Sequence, residues 1–283
     1  MRSAQLTEMA ESLLLCPKCG RGLVDIGARQ NEVVRCSGCS ASYPRTDGVI
    51  DLLPDGSPQP TLAQRTMESE AIVRIYESRW WRRSRFMASL FGISFEAEQE
   101  LILRAARLSG TDAVLDLACG PGIYARPLAR QSPKGTVFGL DLSLPMLRYA
   151  SRRARAEGVN NLVLILGTAL ELPFEAGSLD WVNCCGALHL FPDVPRVLGE
   201  IYRVLKPGGG FSVAAARRSG GIAAARAAVV HRRLTGINSF TSDELASQLA
   251  GAGFAAVECH HAQRIWLIMS ARKGAATPRS GEA

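Results

Sequence analysis

The residues of this chain whose types and spacing can do chemistry are four cysteines near its start, two aspartates in its middle and one histidine beyond them. Cys16 and Cys19 form one Cys-x-x-Cys pair, and Cys36 and Cys39 form another. Gly20 and Gly22 follow the first pair and Gly38 interrupts the second, so each pair can sit on a tight turn and offer two thiolates to one metal ion. Four thiolates close a tetrahedral zinc site and leave no position for water or substrate, so the expected zinc is structural. Further on, DLACGPG (116–122) sets Asp116 just before Gly120 and Gly122, with Asp141 about twenty residues after the glycines. Glycines there let backbone approach a ligand closely. Taken alone, the motif fits a dinucleotide whose ribose Asp141 would hold, and it fits equally an S-adenosylmethionine site with an acid at a strand tip.

The elements that must position these residues are legible in the hydrophobic pattern. AVLDLA (113–118), TVFGL (136–140), NLVLIL (161–166), LDWVNCC (179–185) and GFSVAAA (210–216) are apolar runs of strand length. Between them IYARPLAR, PMLRYASRRARAE and VPRVLGEIYRVL carry helical spacing. Buried strands alternating with amphipathic helices predict a parallel α/β sheet covered on both faces. Thr241 and Glu244 predict a capping box at the head of a helix over 242–251, and FAAVECHH with RIWLIMSAR predicts a closing hairpin. A terminal antiparallel strand set into a parallel sheet is not part of a plain dinucleotide domain; it marks the Rossmann-like class I methyltransferase sheet. Apolar positions Ile72, Ile75, Tyr76 and Trp80 predict a helix over 62–91, and LPDGSPQPT ahead of it reads as a linker.

The chain has 283 residues, 47% hydrophobic and 21% charged, enough for one large domain and a small one. The organisation expected is a zinc-ribbon module over 1–55, a linker with N-terminal helices over 56–95, a cofactor-binding domain over 96–273 and a disordered tail over 274–283. No apolar run reaches membrane-spanning length and the start lacks the layout of a signal peptide, so a cytoplasmic location is expected. The net charge of +7 invites a nucleic-acid reading, but it is local. Arginines gather in RWWRRSR (79–85) and RYASRRAR (148–155), while the ribbon mixes acids and bases. RWWRRSR could grip RNA, approach a membrane-dissolved substrate, or be a solvated helix face over packed tryptophans. Of the eight cysteines, the four outside the ribbon lie in apolar stretches and read as core.

Two resemblances extend this reading. The stretch from LLLCPKCGRGL to DGVIDLLP resembles the zinc ribbon of tRNA-methyltransferase activator proteins and of some bacterial ribosomal-RNA guanine-N1 methyltransferases. From about Tyr76 to Lys273 the chain resembles the type 11 methyltransferases, akin to the ubiquinone and menaquinone methyltransferases. VLDLACGPG, FGLDLS, LPFEAGSLDWV, ALHLFPD and RVLKPGG occur in the order that group shows. The resemblance implies S-adenosylmethionine as cofactor. Gly120 and Gly122 would close over its methionine end, with Ala118 where the group usually has a glycine. Asp116 would steady the amino group and Asp141 would take both ribose hydroxyls. Leu142 and Met146 would flank the adenine, whose amine would meet Thr168, Ala169 and Leu170, where the group often has an aspartate. Asn183 and Cys184 would line the cofactor with their backbone, and Tyr76 would close over the sulfonium.

His189, in GALHLF just past the fourth strand, is the candidate catalytic base, against a structural role beside the cofactor. The activity implied is methylation of a small lipophilic or aromatic molecule at carbon or oxygen. The alternatives are methylation of ribosomal-RNA guanine, for which RNA would be the partner, and a protein that binds the cofactor without transferring methyl. Peripheral contact with a membrane fits the first reading.

Overall fold

The structure, a computed structural model, describes residues 13–24, 33–53 and 82–275. Tyr76, the linker, most of the helix expected over 62–91 and residues 276–283 of the expected tail lie outside the described residues. Four strands of the ribbon come first: β1 (Leu23–Val24), β2 (Val33–Cys36), β3 (Ser42–Thr46) and β4 (Val49–Asp51). Two helices follow, α1 (Arg85–Phe91) and α2 (Phe95–Ala106). The alternating core is then β5 (Ala113–Leu117), α3 (Ala125–Gln131), β6 (Thr136–Asp141), α4 (Leu144–Ala156), β7 (Leu162–Leu166), β8 (Leu179–Cys185), α5 (Val194–Val204) and β9 (Leu205–Ala216). Helices α6 (Ile222–Thr235) and α7 (Ser242–Gly251) and strands β10 (Phe254–Gln263) and β11 (Trp266–Lys273) complete it.

All eleven strands form one sheet in the order β1-β2-β3-β4-β7-β6-β5-β8-β9-β11-β10. From β4 to β9 in this order each strand runs parallel to the next, and β11 lies antiparallel between β9 and β10, as the closing hairpin requires. Every residue of β5 is buried, which is why its sequence is an unbroken apolar run around one carboxylate. Helices α1 to α4 cover one face through Phe91, Phe95, Ile102, Leu128 and Leu147, while α5 and α7 cover the other through Val197, Ile201, Leu245 and Leu249. Thr241 accepts from the Glu244 amide and Glu244 accepts from the Thr241 amide, the reciprocal cap expected at α7. β9 begins earlier than the expected 210, at Leu205, and shifts register against β8 between Leu179 and Trp181. Gly210 is obligatory in that stretch, because a Cβ there would stand 1.9 Å from the Trp181 ring.

The ribbon is joined to the sheet by its own backbone. Asp47 and Gly48 have φ of 56° and 83°, the left-handed pair that closes a two-residue hairpin between β3 and β4. β4 then pairs in parallel with β7, Val49 opposite Leu164 and Asp51 opposite Leu166. On the other side Leu14 bridges to Phe174, and the Leu15 amide donates to the Pro173 carbonyl at 2.9 Å. Leu14, Leu23, Val34, Tyr43, Ile50 and Leu52 are buried in the same apolar cluster as Phe138 and Phe174. The ribbon residues therefore share a core with the sheet.

Candidate functional site

The glycine loop between β5 and α3 is built around backbone conformations that side chains resist. Gly120 and Gly122 have φ of 51° and 77°. A Cβ on Gly120 would meet nothing within 4 Å, so that peptide borders open space. Ala118 also sits in the left-handed region, at φ 54°. For alanine this conformation costs about 1 kcal/mol, so the position taken by glycine in the related group is occupied here under local strain. Arg126, itself buried, donates from Nη1 to the Pro121 carbonyl at 2.6 Å and holds the loop from behind.

The two carboxylates are prepared differently. Asp141 ends β6, where its Oδ2 accepts the Gly120 amide and its Oδ1 accepts the Ser143 amide, each at 2.8 Å. A carboxylate oxygen has two lone pairs, so a group oriented by backbone in this way has the capacity to accept from a ligand as well. Asp116 is fully enclosed at the end of β5. Its Oδ1 accepts from Asn183 Nδ2 at 2.7 Å, Asn183 Oδ1 accepts from Ser212 Oγ at 2.8 Å, and Ser212 Oγ accepts from Trp181 Nε1 at 3.1 Å. Every donor in this chain points toward Asp116. Its Oδ2, by contrast, is buried without a hydrogen-bond partner. Burial raises its pKa to about 7, although the Asn183 amide and the Ala125 backbone pull it back down. A buried acid with one orphaned oxygen has the chemistry to accept from a cationic donor.

The other expected contacts fall around this pair. Met146 is buried in the first turn of α4, which Ser143 caps, and Leu142 is half-buried beside it. Thr168 follows β7 and accepts the Leu170 amide at 3.2 Å, with Ala169 buried between them. Asn183, expected to line the cofactor with its backbone, carries the relay to Asp116 with its side chain. Cys184 is buried, and burial pushes its thiol far above the ordinary range, so it stays neutral.

His189 stands in a single 3-10 turn, Leu188–Leu190, directly after β8. Its Nδ1 accepts the Ala216 amide at 3.3 Å, and its ring meets Trp266 edge to face at 6.0 Å between centroids. Trp266 in turn stacks on Phe91 at 4.4 Å. Sequence reasoning missed this aromatic wall, because Phe91 and Trp266 stand far apart in the chain and each reads as core. It missed Arg82 also. Of the RWWRRSR arginines, Arg82 is buried at 2.6 Å from both oxygens of Glu98, beneath Phe91 and Trp266. Tyr124 Oη donates to the same carboxylate. Around this end of the sheet, Phe86, Leu90, Leu190 and Ile265 are exposed, and none of the α6 side chains is buried.

In the ribbon the four cysteine sulfurs all lie within 4.8 Å of one another. Cys16 and Cys39 stand 3.7 Å apart and Cys19 and Cys36 3.4 Å apart, close to the ~3.8 Å edge of a tetrahedron with zinc–sulfur bonds near 2.3 Å. Amides of Gly38 and Cys39 donate to Cys36 Sγ at 3.2 and 3.4 Å. Burial works against ionising that thiol, but these amides and the neighbouring thiols outweigh it and bring the pKa to about 6. The donor set and its spacing fit one zinc ion.

Comparison with known proteins agrees with this geometry. Residues 114–209 match the family described as "Methyltransferase domain". The demethylmenaquinone methyltransferase of Geobacillus kaustophilus is 38% identical over 112 residues, which are 39% of this chain and 48% of that protein. The chain therefore spans less than half the length of the curated relatives it matches. Phosphoethanolamine N-methyltransferase 2 of Haemonchus contortus, solved with S-adenosyl-L-methionine, has TM-score 0.60 at 18% identity, covering 78% of this chain and 61% of that one. The [4+2]-cyclase SpnF has TM-score 0.56 at 19% identity, covering 74% and 97%. At such identities the likeness is one of fold. Residues 114–209 thus match a methyltransferase domain in sequence, and the chain around them shares the Rossmann-like fold of class I methyltransferases.

Proposed function

We propose that this chain is an S-adenosylmethionine-dependent methyltransferase whose acceptor is a small, largely apolar, quinone-like molecule, methylated at oxygen or ring carbon. The observation that carries the reading is the pair of unlike carboxylates on adjacent strands. Asp141, steadied by the Gly120 and Ser143 amides, would accept from the two ribose hydroxyls. The orphaned Oδ2 of Asp116 would take the ammonium of the methionine end, with Asn183 holding the other oxygen. The open space at Gly120 gives the methionine end room, and Leu142, Met146 and the Thr168–Leu170 turn would bracket the adenine.

When bound, the cofactor supplies a methyl group already activated by its positive sulfur, so the protein's task is to aim an electron-rich acceptor and exclude water. The half-buried His189 ring, backed by the buried Trp266 and Phe91, would border the space for an acceptor ring. The exposed Phe86, Leu90, Leu190 and Ile265 at the same end suit a lipophilic chain. The demethylmenaquinone methyltransferase relatives act on that class of molecule by name. The four cysteines would hold zinc as a clamp on the ribbon, away from the reaction.

The test is to incubate the protein with methyl-labelled S-adenosylmethionine and fractions of a cell extract. The label is expected in an organic-solvent extract, with transfer little changed between low and physiological salt, because apolar burial does not weaken with salt as phosphate contacts do. Label in RNase-sensitive material, with activity collapsing over that range, would replace this reading by the ribosomal-RNA one.

A further inference from the structure

A neutral imidazole has one N–H and one lone pair, so the partner of one nitrogen decides what the other can do. In His189 the lone pair is on Nδ1, where the Ala216 amide donates at 3.3 Å. The proton therefore sits on Nε2, which makes no hydrogen bond with any described residue. Contacts on two sides hold His189 in this position. Its own carbonyl is held by the Asn238 amide at 2.7 Å, and Trp266 packs edge-on against it.

We propose that His189 serves methyl transfer as a fixed Nε2–H donor to an oxygen of the acceptor, and not as the base that removes the acceptor's proton. This rests on the function proposed above. The acceptor, a phenol or quinol, gives its proton to water, and Nε2–H supports the charge left on oxygen. An electron pair of the acceptor forms the new bond to the methyl carbon as the sulfur–methyl bond breaks and its pair stays on sulfur. In methylation at ring carbon the proton on that carbon then leaves to water and the oxygen takes one proton back, which restores the phenol or quinol. His189 gains and loses no proton in the cycle.

The surroundings agree with a ring that stays neutral. Among the described residues, those that contact His189 are Ala216 on β9 and Trp266 on β11 at the ring and Asn238 at the carbonyl, and none of these titrates. Burial alone lowers its pKa to about 4. A proton added to Nδ1 would also face the Ala216 N–H, two donors against each other.

The tautomer can be read without cofactor or acceptor. Nitrogen-15 spectra of the imidazoles, with His189 assigned through His189→Gln among the four histidines, should show an Nε2–H tautomer from pH 6 to 9 and no midpoint near 6.5. An Nδ1–H tautomer, or a midpoint near 6.5, would overturn the proposal. In turnover, His189→Ala should lower kcat on the order of 10²-fold, as losing one oxyanion donor does, with S-adenosylhomocysteine affinity unchanged. His189→Gln, which keeps an N–H at similar reach, should restore most of it. A Gln variant as slow as Ala, together with loss of a wild-type pH–rate limb, would identify a base instead. A wild-type protein that methylates no phenol or quinol would count against the proposed function, while the spectra would still decide the tautomer.

Discussion

Replacing Asp116 with asparagine removes a charge from a place that has no donor for half of it, and the consequences for folding and for binding run in opposite directions. Burial lifts this carboxyl from 3.8 to about 7, so at pH 8 its ionised form destabilises the empty protein by about 4 kcal/mol relative to a solvent-exposed acid. The sign follows from proton counting. Between pH 3.8 and 7 the folded chain holds a proton that the unfolded chain has lost, so stability falls as pH rises through this window and the full penalty stands above it. Asp116→Asn keeps an oxygen for the Asn183 donor and should stabilise the empty protein at pH 8 by about 2–4 kcal/mol, with the gap closing by pH 4. Binding should move the other way. An ammonium placed on Oδ2 makes the charge welcome, so its loss should weaken S-adenosylhomocysteine by about 1.5–3 kcal/mol, roughly ten- to a hundredfold. Wild-type binding near pH 6.5 should also release a proton. Denaturant titrations at pH 8 and pH 4 measure the first effect, and calorimetry in two buffers of different ionisation enthalpy measures the second and third. A variant no more stable at pH 8, or ligand binding without proton release, would refute the claim that Asp116 is an acid held in wait for a cation.

Ala118→Gly should relieve the left-handed alanine and raise the denaturant midpoint by the equivalent of about 0.5–1 kcal/mol, with ligand affinity unchanged. Metal analysis should find about one zinc per chain, and Cys36→Ser should lower the melting temperature while leaving S-adenosylhomocysteine binding largely intact. Because β4 continues the ribbon into the sheet, hydrogen exchange in that variant should rise in Val49–Asp51 and stay low in Ala113–Leu117.

Whatever depends on residues a few positions apart was determined by the sequence alone. The Cys-x-x-Cys turns, the capping box of α7, the glycine loop after Asp116 and the alternation of buried strands with helices are short-range patterns, and backbone geometry leaves each few ways to form. Asp141 was legible for the same reason, as an acid at a strand end a set distance beyond the loop. The tertiary structure decided what depends on groups distant in the chain. A turn-and-strand motif such as DGVIDLLP is equally stable ending a ribbon or joining a sheet, and only its pairing with Leu164–Leu166 made it the edge of β7. Arg82, one of several arginines in a basic run, became a buried partner of Glu98 because α2 lies under it. His189 was visible as a histidine in the right place, but its chemistry was set by an amide 27 residues away. Hydrogen-bond direction is a property of the partner, and the sequence around a side chain does not name its partner.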